Sequence, residues 1–245
     1  MKNLMIFTGG KLPLEDEILL KIQIDNSLDL GWEKDDILLV TDFYFQYNGI
    51  QAIMIPEGIS YSFDKQTNKI AVVLYLLKGF DIKKDEVFWC HDLDAFELHS
   101  IKDIDLEGCD LGLVHYFYKN EWCLSNFFFT PDAVDIIELI NNTMIERPWK
   151  TRNNEKTLTW LIKHKKIDSN RYKRLNVTYN IAKRCLDTIY KEAEKPLKVL
   201  HFRPSDKDDL MPDTALNMFM YGKNKLKIPL MTSRLIGIFN KHGIK

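Results

Sequence analysis

Val87-Phe88-Trp89-Cys90-His91-Asp92-Leu93-Asp94-Ala95-Phe96 begins as an apolar run and ends in two carboxylates separated by one residue. A short apolar run of this kind is the signature of a strand buried on both faces, as in a parallel sheet covered by helices. Two acids at the end of such a strand can face one crevice, because ligands of open α/β sheets bind at the carboxyl ends of strands.

The segments before this stretch repeat a strand–helix–strand rhythm. Lys2 to Thr8 reads as a first buried strand, closed by the turn Thr8-Gly9-Gly10. Leu14, Ile18, Leu19, Ile22 and Leu28 have helical spacing. Asp36 to Asp42 reads as a second buried strand, and Gln51 to Pro56 as a third. Asn68 to Lys78 carries Ile70, Val73, Leu74 and Leu77 on one helical face. This order predicts an α/β fold with a mixed, mostly parallel sheet flanked by helices.

After residue 100 the pattern changes. Cys109 to Phe117 and Leu124 to Thr130 read as strands. Thr130-Pro131-Asp132 opens a helix running to about Asn141, with Pro131 at its first position and Asp132 in its first turn. Asn154 to Lys166 is a further helix, whose lysines 163, 165 and 166 would complement the dipole of its last turn. Lys198 to Phe202 is a late strand, and Leu230 to Asn240 a short amphipathic helix better suited to core packing than to a membrane surface. With no linker and no repeat, residues 1–245 read as one domain: a first half of 1–100, and a second half of 101–245 that ends in a helical segment.

Composition narrows the class. The 245 residues are 45% hydrophobic and 28% charged, which excludes a disordered chain. No apolar run approaches the length of a membrane span, and nothing near Met1 resembles a signal peptide. Cys90, Cys109, Cys123 and Cys185 lack Cys-x-x-Cys spacing, so they read as buried, reduced thiols of a cytoplasmic protein, not as zinc ligands.

The acidic pair suits a hard divalent cation, which takes carboxylate oxygens and completes its shell with substrate phosphates. At this point the chain resembles the GT-A class of nucleotide-sugar-dependent glycosyltransferases, a Rossmann-like fold whose Asp-x-Asp follows a buried strand. The resemblance implies that Asp92 and Asp94 hold the metal and that Asp92 also meets the donor. It implies that Thr8 and Gly9, at the end of the first strand, touch the nucleoside. Asp42 matches the second strand end, and Lys69 the helix start where this class sets a side chain against the nucleotide. Cys109 to Phe129 is similar to the strand pair beneath the acceptor pocket. Leu200-His201-Phe202-Arg203-Pro204-Ser205-Asp206-Lys207 resembles the late His-Phe-x-Gly-x-x-Lys of the glycogenin-like family-8 transferases. There the histidine is the third protein ligand to the metal and the lysine meets the diphosphate, which implies those roles for His201 and Lys207. Pro204 stands where that family has glycine, and Asp208-Asp209 where it has Pro-Trp.

Asn154 and Glu155 open a helix, where a carboxylate is favoured by the dipole. The resemblance offers a second role. In inverting members an acid here is the general base for the acceptor hydroxyl, and in family-8-like members an Asp-Gln stands nearby. The implied cofactors are Mn²⁺, or Mg²⁺, with a nucleotide-diphosphate sugar as donor, a UDP-sugar foremost. An imidazole ligand tilts the metal to manganese. A nucleotidyltransferase or another nucleotide-binding protein uses the same strand-end acids, but would carry a fuller glycine-rich Lys/Arg loop than Thr8-Gly9-Gly10-Lys11.

Charge is divided along the chain. Residues 1–122 hold 11 lysines, no arginine and 22 acids, a net −11; residues 123–245 hold 23 basic and 13 acidic residues, a net +10. This split, with Lys163-His164-Lys165-Lys166, predicts an anionic or surface-presented acceptor beside the acidic metal site. Modified DNA is one such acceptor, but aromatics do not alternate with the lysines, so no stacking platform for nucleic acid is indicated.

Overall fold

The computed structural model describes residues 1–10, 12–56, 58–59, 68–116, 121–146, 153–182, 190–201 and 232–243. Its strands are β1 (Lys2–Phe7), β2 (Ile37–Thr41), β3 (Gln46–Tyr47), β4 (Ile50–Gln51), β5 (Ile53–Met54), β6 (Phe88–His91), β7 (Ala95–Glu97), β8 (Leu111–Tyr116), β9 (Glu121–Phe129), β10 (Tyr172–Leu175), β11 (Ile181–Ala182) and β12 (Val199–His201). Its α-helices are α1 (Leu14–Asp29), α2 (Asn68–Gly79), α3 (Val134–Glu146), α4 (Asn154–Lys163) and α5 (Ser233–Lys241). Among the described residues, no helix is long and apolar enough to cross a membrane.

Seven strands form the central sheet in the order β10-β8-β9-β6-β1-β2-β5. All run parallel except β9, which is antiparallel to both β6 and β8. Side chains alternate across it. Leu4, Val40, Phe88, Cys90, Phe127 and Phe129 face one core, shared with α2, α3 and α4. Met5, Leu39, Trp89 and Phe128 face the other, shared with α1 and α5. The central strands β1, β2 and β6 bury residues on both faces, which is why these segments carry unbroken apolar runs.

The structure departs from the sequence expectation in places that have physical causes. The third strand is split: Ile50–Gln51 turns back on Gln46–Tyr47, and only Ile53–Met54 joins the main sheet. Asn48 and Gly49 both take positive φ (51° and 80°), the hairpin conformation that this dipeptide favours. Pro131 opens a 3₁₀ turn, Pro131–Ala133, that leads into α3, and α3 continues past Asn141 to Glu146. Helix α4 stops at Lys163, so Lys165 and Lys166 lie beyond its last turn. Lys165 there adopts φ 53°, and its amide and that of Lys166 close the end onto Ile162 and Leu161 carbonyls. Cys90 and Cys123 are buried, whereas Cys109 is only half-buried; Cys185 lies outside the described residues. Helix α5 packs Leu235, Ile238 and Phe239 into the core beside α1.

A second, three-stranded sheet, β11-β12-β7, is the feature that sequence periodicity does not reveal. Its strand β12 pairs antiparallel with β7, setting His201 opposite Ala95.

Candidate active site

The chain leaves β1 toward β2 and β5 on one side, then returns to place β6 on the other side of β1. That reversal opens a crevice at the carboxyl ends of β1 and β6. Thr8 and Gly9 leave β1 there, and Asp92 to Asp94 leave β6.

The turn after β1 is held from beneath. The Asp42 carboxylate accepts the amide N–H of Gly9 at 3.0 Å and that of Gly10 at 3.0 Å. Gly10 needs its φ of 69°, a conformation that side chains with a Cβ rarely take. Buried Asn68, at the start of α2, donates from Nδ2 to Thr8 Oγ1 at 3.1 Å. Asp42 therefore shapes the turn through its backbone, and the Thr8–Gly10 segment presents the surface toward the crevice.

The acidic pair forms a β-turn, closed by the Ala95 amide donating to the Asp92 carbonyl at 3.1 Å. The Asp92 amide donates to Ser125 O on β9 at 2.7 Å. His201 Nε2 lies 3.2 Å from Asp94 Oδ1. One ligand atom each from Asp92, Asp94 and His201 lies within 4.8 Å of the others, and no second such trio occurs among the described residues. Two ligands at right angles about a metal with bonds near 2.1–2.2 Å sit about 3 Å apart, so the Asp94–His201 edge already has coordination spacing. Two carboxylates and an imidazole are a donor set that Mn²⁺ accepts.

Lys69 of α2 is buried and forms an ion pair with Asp92 Oδ1, with a further bond to Leu124 O at 3.3 Å. Burial pulls its ammonium pKa down, but the neighbouring Asp92 charge outweighs this and leaves it raised. Asp92, Asp94 and Lys69 together carry one net negative charge. A divalent cation would make that net positive, matched to a diphosphate.

His91 sits under the turn, its Nδ1 2.9 Å from the Asp92 carbonyl and its Nε2 2.8 Å from Asn3 Oδ1. Burial drives its pKa down to about 3, so the ring is neutral and braces the turn.

Glu155 lies on the same wall. Its Oε1 accepts from Ser125 Oγ at 2.9 Å and from Leu124 N at 3.2 Å, on the stretch of β9 whose carbonyls accept from the Asp92 amide and from Lys69 Nζ. Asn153 caps α4 by accepting from the Glu155 and Lys156 amides, and Asn154 Oδ1 accepts the Glu155 amide at 2.8 Å. Asn154 is thus turned to the helix start. Lys207 lies outside the described residues.

No protein-family model matches the chain, and no curated protein matches its sequence. Solved structures do match its fold. The galactosyltransferase LgtC in complex with donor and acceptor sugar analogues superposes with TM-score 0.60 at 10% identity, covering 97% of this chain and 100% of that one. A glycosyltransferase involved in glycosylation of the major capsid of PBCV-1 gives 0.58 at 14% identity, covering 90% of this chain and 100% of that one. The glycosyltransferase GlyE of Streptococcus pneumoniae gives 0.59 at 11% identity, covering all of this chain and 61% of that one. The chain has the GT-A fold.

Proposed function

We propose that this chain is a divalent-metal-dependent glycosyltransferase that moves a sugar from a nucleotide-diphosphate sugar to a hydroxyl acceptor. The observation that carries this is the Asp92–Asp94–His201 cluster, within 4.8 Å, at the switch point of a GT-A fold. Mn²⁺ is favoured over Mg²⁺ by the imidazole, and UDP is the favoured nucleotide. When bound, the cation supplies Lewis-acid charge to the departing diphosphate.

The chain's own residues do the rest. Asp92 and Asp94 hold the cation, with Lys69 keeping Asp92 oriented and moderating its charge. The Thr8-Gly9 turn lies against the nucleoside, its shape fixed by Asp42. Lys207 adds positive charge at the diphosphate. Glu155, locked by Ser125 and Leu124, takes the proton of the acceptor hydroxyl as the new bond forms.

The acceptor is anionic or carried on an anionic surface. The net +10 of the second half and the exposed run Lys163–Lys166 support this. That run lies at the opposite end of α4 from Glu155, on the order of 13 Å along the helix. It can engage an extended acceptor without touching the reacting hydroxyl.

A thermal-shift panel of nucleotide sugars with and without Mn²⁺ tests the proposal. A donor at 100 times its Kd adds about 2.7 kcal/mol. In a chain of this size that raises Tm by roughly 5–10 °C. The expected result is a shift with a UDP-sugar that requires Mn²⁺. A shift with nucleoside triphosphates alone would favour nucleotidyl transfer, and none with any nucleotide would refute the proposal.

A further inference from the structure

Helix α1 breaks the amphipathic rule in its second half. Gln23, Asp25, Asn26 and Ser27 are all buried alongside Ile22 and Ile24. Gln23 is 1% exposed, and its one amide nitrogen serves two backbone carbonyls: Leu93 O at 2.8 Å and Ala95 O at 3.0 Å. These carbonyls flank Asp94. An uncharged –NH₂ has two protons, and both are used here.

We infer that Gln23 is the positioning residue of the metal cradle: its amide, clamping the carbonyls on either side of Asp94, sets the three ligands relative to one another. The inference rests on the metal reading of the Asp92–Asp94–His201 cluster. The Asp92–Ala95 turn is closed by the bond from the Ala95 amide to Asp92 O. That bond alone leaves the intervening peptide planes able to rotate, and each rotation swings the Asp94 carboxylate. Gln23 fixes the peptide after Leu93 and the peptide after Ala95 from outside. Ala95 is also the residue that pairs with His201 across β7 and β12. The clamp on Ala95 therefore fixes the strand on which His201 hangs, as well as the turn that carries both acids. One turn further along α1, Asn26 Nδ2 donates to Glu97 O at 3.0 Å and extends the grip to the end of β7. None of these side chains approaches the crevice as a ligand. Their action is on backbone, and partners that orient metal ligands in this way typically carry about 10–100-fold in metal affinity.

The test is Gln23→Met, which keeps the side chain's length and removes both N–H donors. Mn²⁺ binding is followed by loss of the free-ion EPR signal, with Mn²⁺ alone and with Mn²⁺ plus UDP. The matched control is Ile24→Ala, which opens a cavity beside Gln23 in the same helix and lowers stability while leaving both Gln23 hydrogen bonds to the turn in place. The inference predicts that Gln23→Met raises the Mn²⁺ Kd about tenfold or more, while Ile24→Ala binds like the wild type despite an equal or larger fall in Tm. Binding within twofold of wild type in Gln23→Met would overturn it, as would an equal loss in both variants. Should Gln23→Met not fold, Gln23→Asn, too short to span both carbonyls, is read against the same thresholds. A wild type that takes up no Mn²⁺ overturns the metal reading itself, a result distinct from a wild type that binds and a variant that binds equally.

Discussion

Two buried titratable groups beside the site should oppose one another as pH falls, and removing one should expose the other. Glu97 of β7 is buried and receives Trp32 Nε1 at 2.7 Å and the Ile101 amide at 3.0 Å, with Arg234 and Lys102 nearby. Burial raises its pKa from 4.5 to about 7, more than these donors and cations lower it. A carboxyl with a raised folded pKa contributes stability that is full below 4.5 and lost as pH rises through about 7. His91 is the reverse case. Burial depresses its pKa from 6.5 to about 3, with Lys69 and His201 also disfavouring charge and the Asp92 carbonyl and Asp94 favouring it. Its contribution is full above 6.5 and lost as pH falls toward 3. Between pH 7 and pH 5, Glu97 adds on the order of 2 kcal/mol and His91 removes about as much, so their joint slope is near zero. Glu97→Gln removes the stabilising half. Urea unfolding at pH 5, 6 and 7 should show the variant losing roughly 2 kcal/mol relative to wild type on going from pH 7 to pH 5. The absolute cost of the substitution is irrelevant; the pH dependence of the difference carries the argument. A difference that is flat across this range would mean that Glu97 titrates alike in the folded and unfolded chain, and the reasoning would fail.

Asp94→Ala should abolish Mn²⁺-dependent binding of UDP in calorimetry while Tm stays close to wild type, since the residue lies on a turn outside both cores; unchanged affinity would remove Asp94 from the site. Gly112→Ala should destabilise by about 1–3 kcal/mol in urea, because a Cβ there would meet Leu106 Cδ2 at 2.7 Å, Leu175 Cδ1 at 3.1 Å and Phe128 Cβ at 3.2 Å. A variant as stable as wild type would show that this corner of β8 gives way freely. Lys165→Glu with Lys166→Glu should raise the acceptor KM at low salt, mimicking high salt in the wild type, with the donor KM little changed. A KM indifferent to both would leave the basic run without a part in acceptor capture.

The parts of this molecule that were legible in sequence share one property: local regularity. β1, β2 and β6 are central strands covered on both faces, so their apolar runs are continuous, and α3 has a sided apolar pattern, whereas α2 buries its whole first half from Asn68 to Val73 and leaves Leu74 and Leu77 half-buried. The direction of β9 was not legible, because an antiparallel neighbour changes register without changing composition. β7 and β12 are three residues each, too short for a period, and their pairing joins segments far apart in the chain. That pairing brings His201 to Asp94, a meeting that only the family resemblance anticipated. Gln23 and Asn26 were missed because polar residues within a helix read as a solvent face. The available signal was a polar cluster, Gln23 to Ser27, interrupted by a single isoleucine, in a helix whose apolar positions otherwise continue to Leu28. Asp42 was legible as a strand-end acid, but its bonds to Gly9 and Gly10 depend on how β1 and β2 align.

The central claim is that Asp92, Asp94 and His201 share one cation at the crevice. Crystals grown with Mn²⁺ and UDP, measured at a wavelength where manganese scatters anomalously, test it directly. The account predicts one strong anomalous peak within about 2.0–2.4 Å of a carboxylate oxygen of Asp92, of one of Asp94 and of His201 Nε2. A peak more than about 3 Å from both ring nitrogens of His201, or one lying away from the Asp92–Asp94 turn, would contradict it.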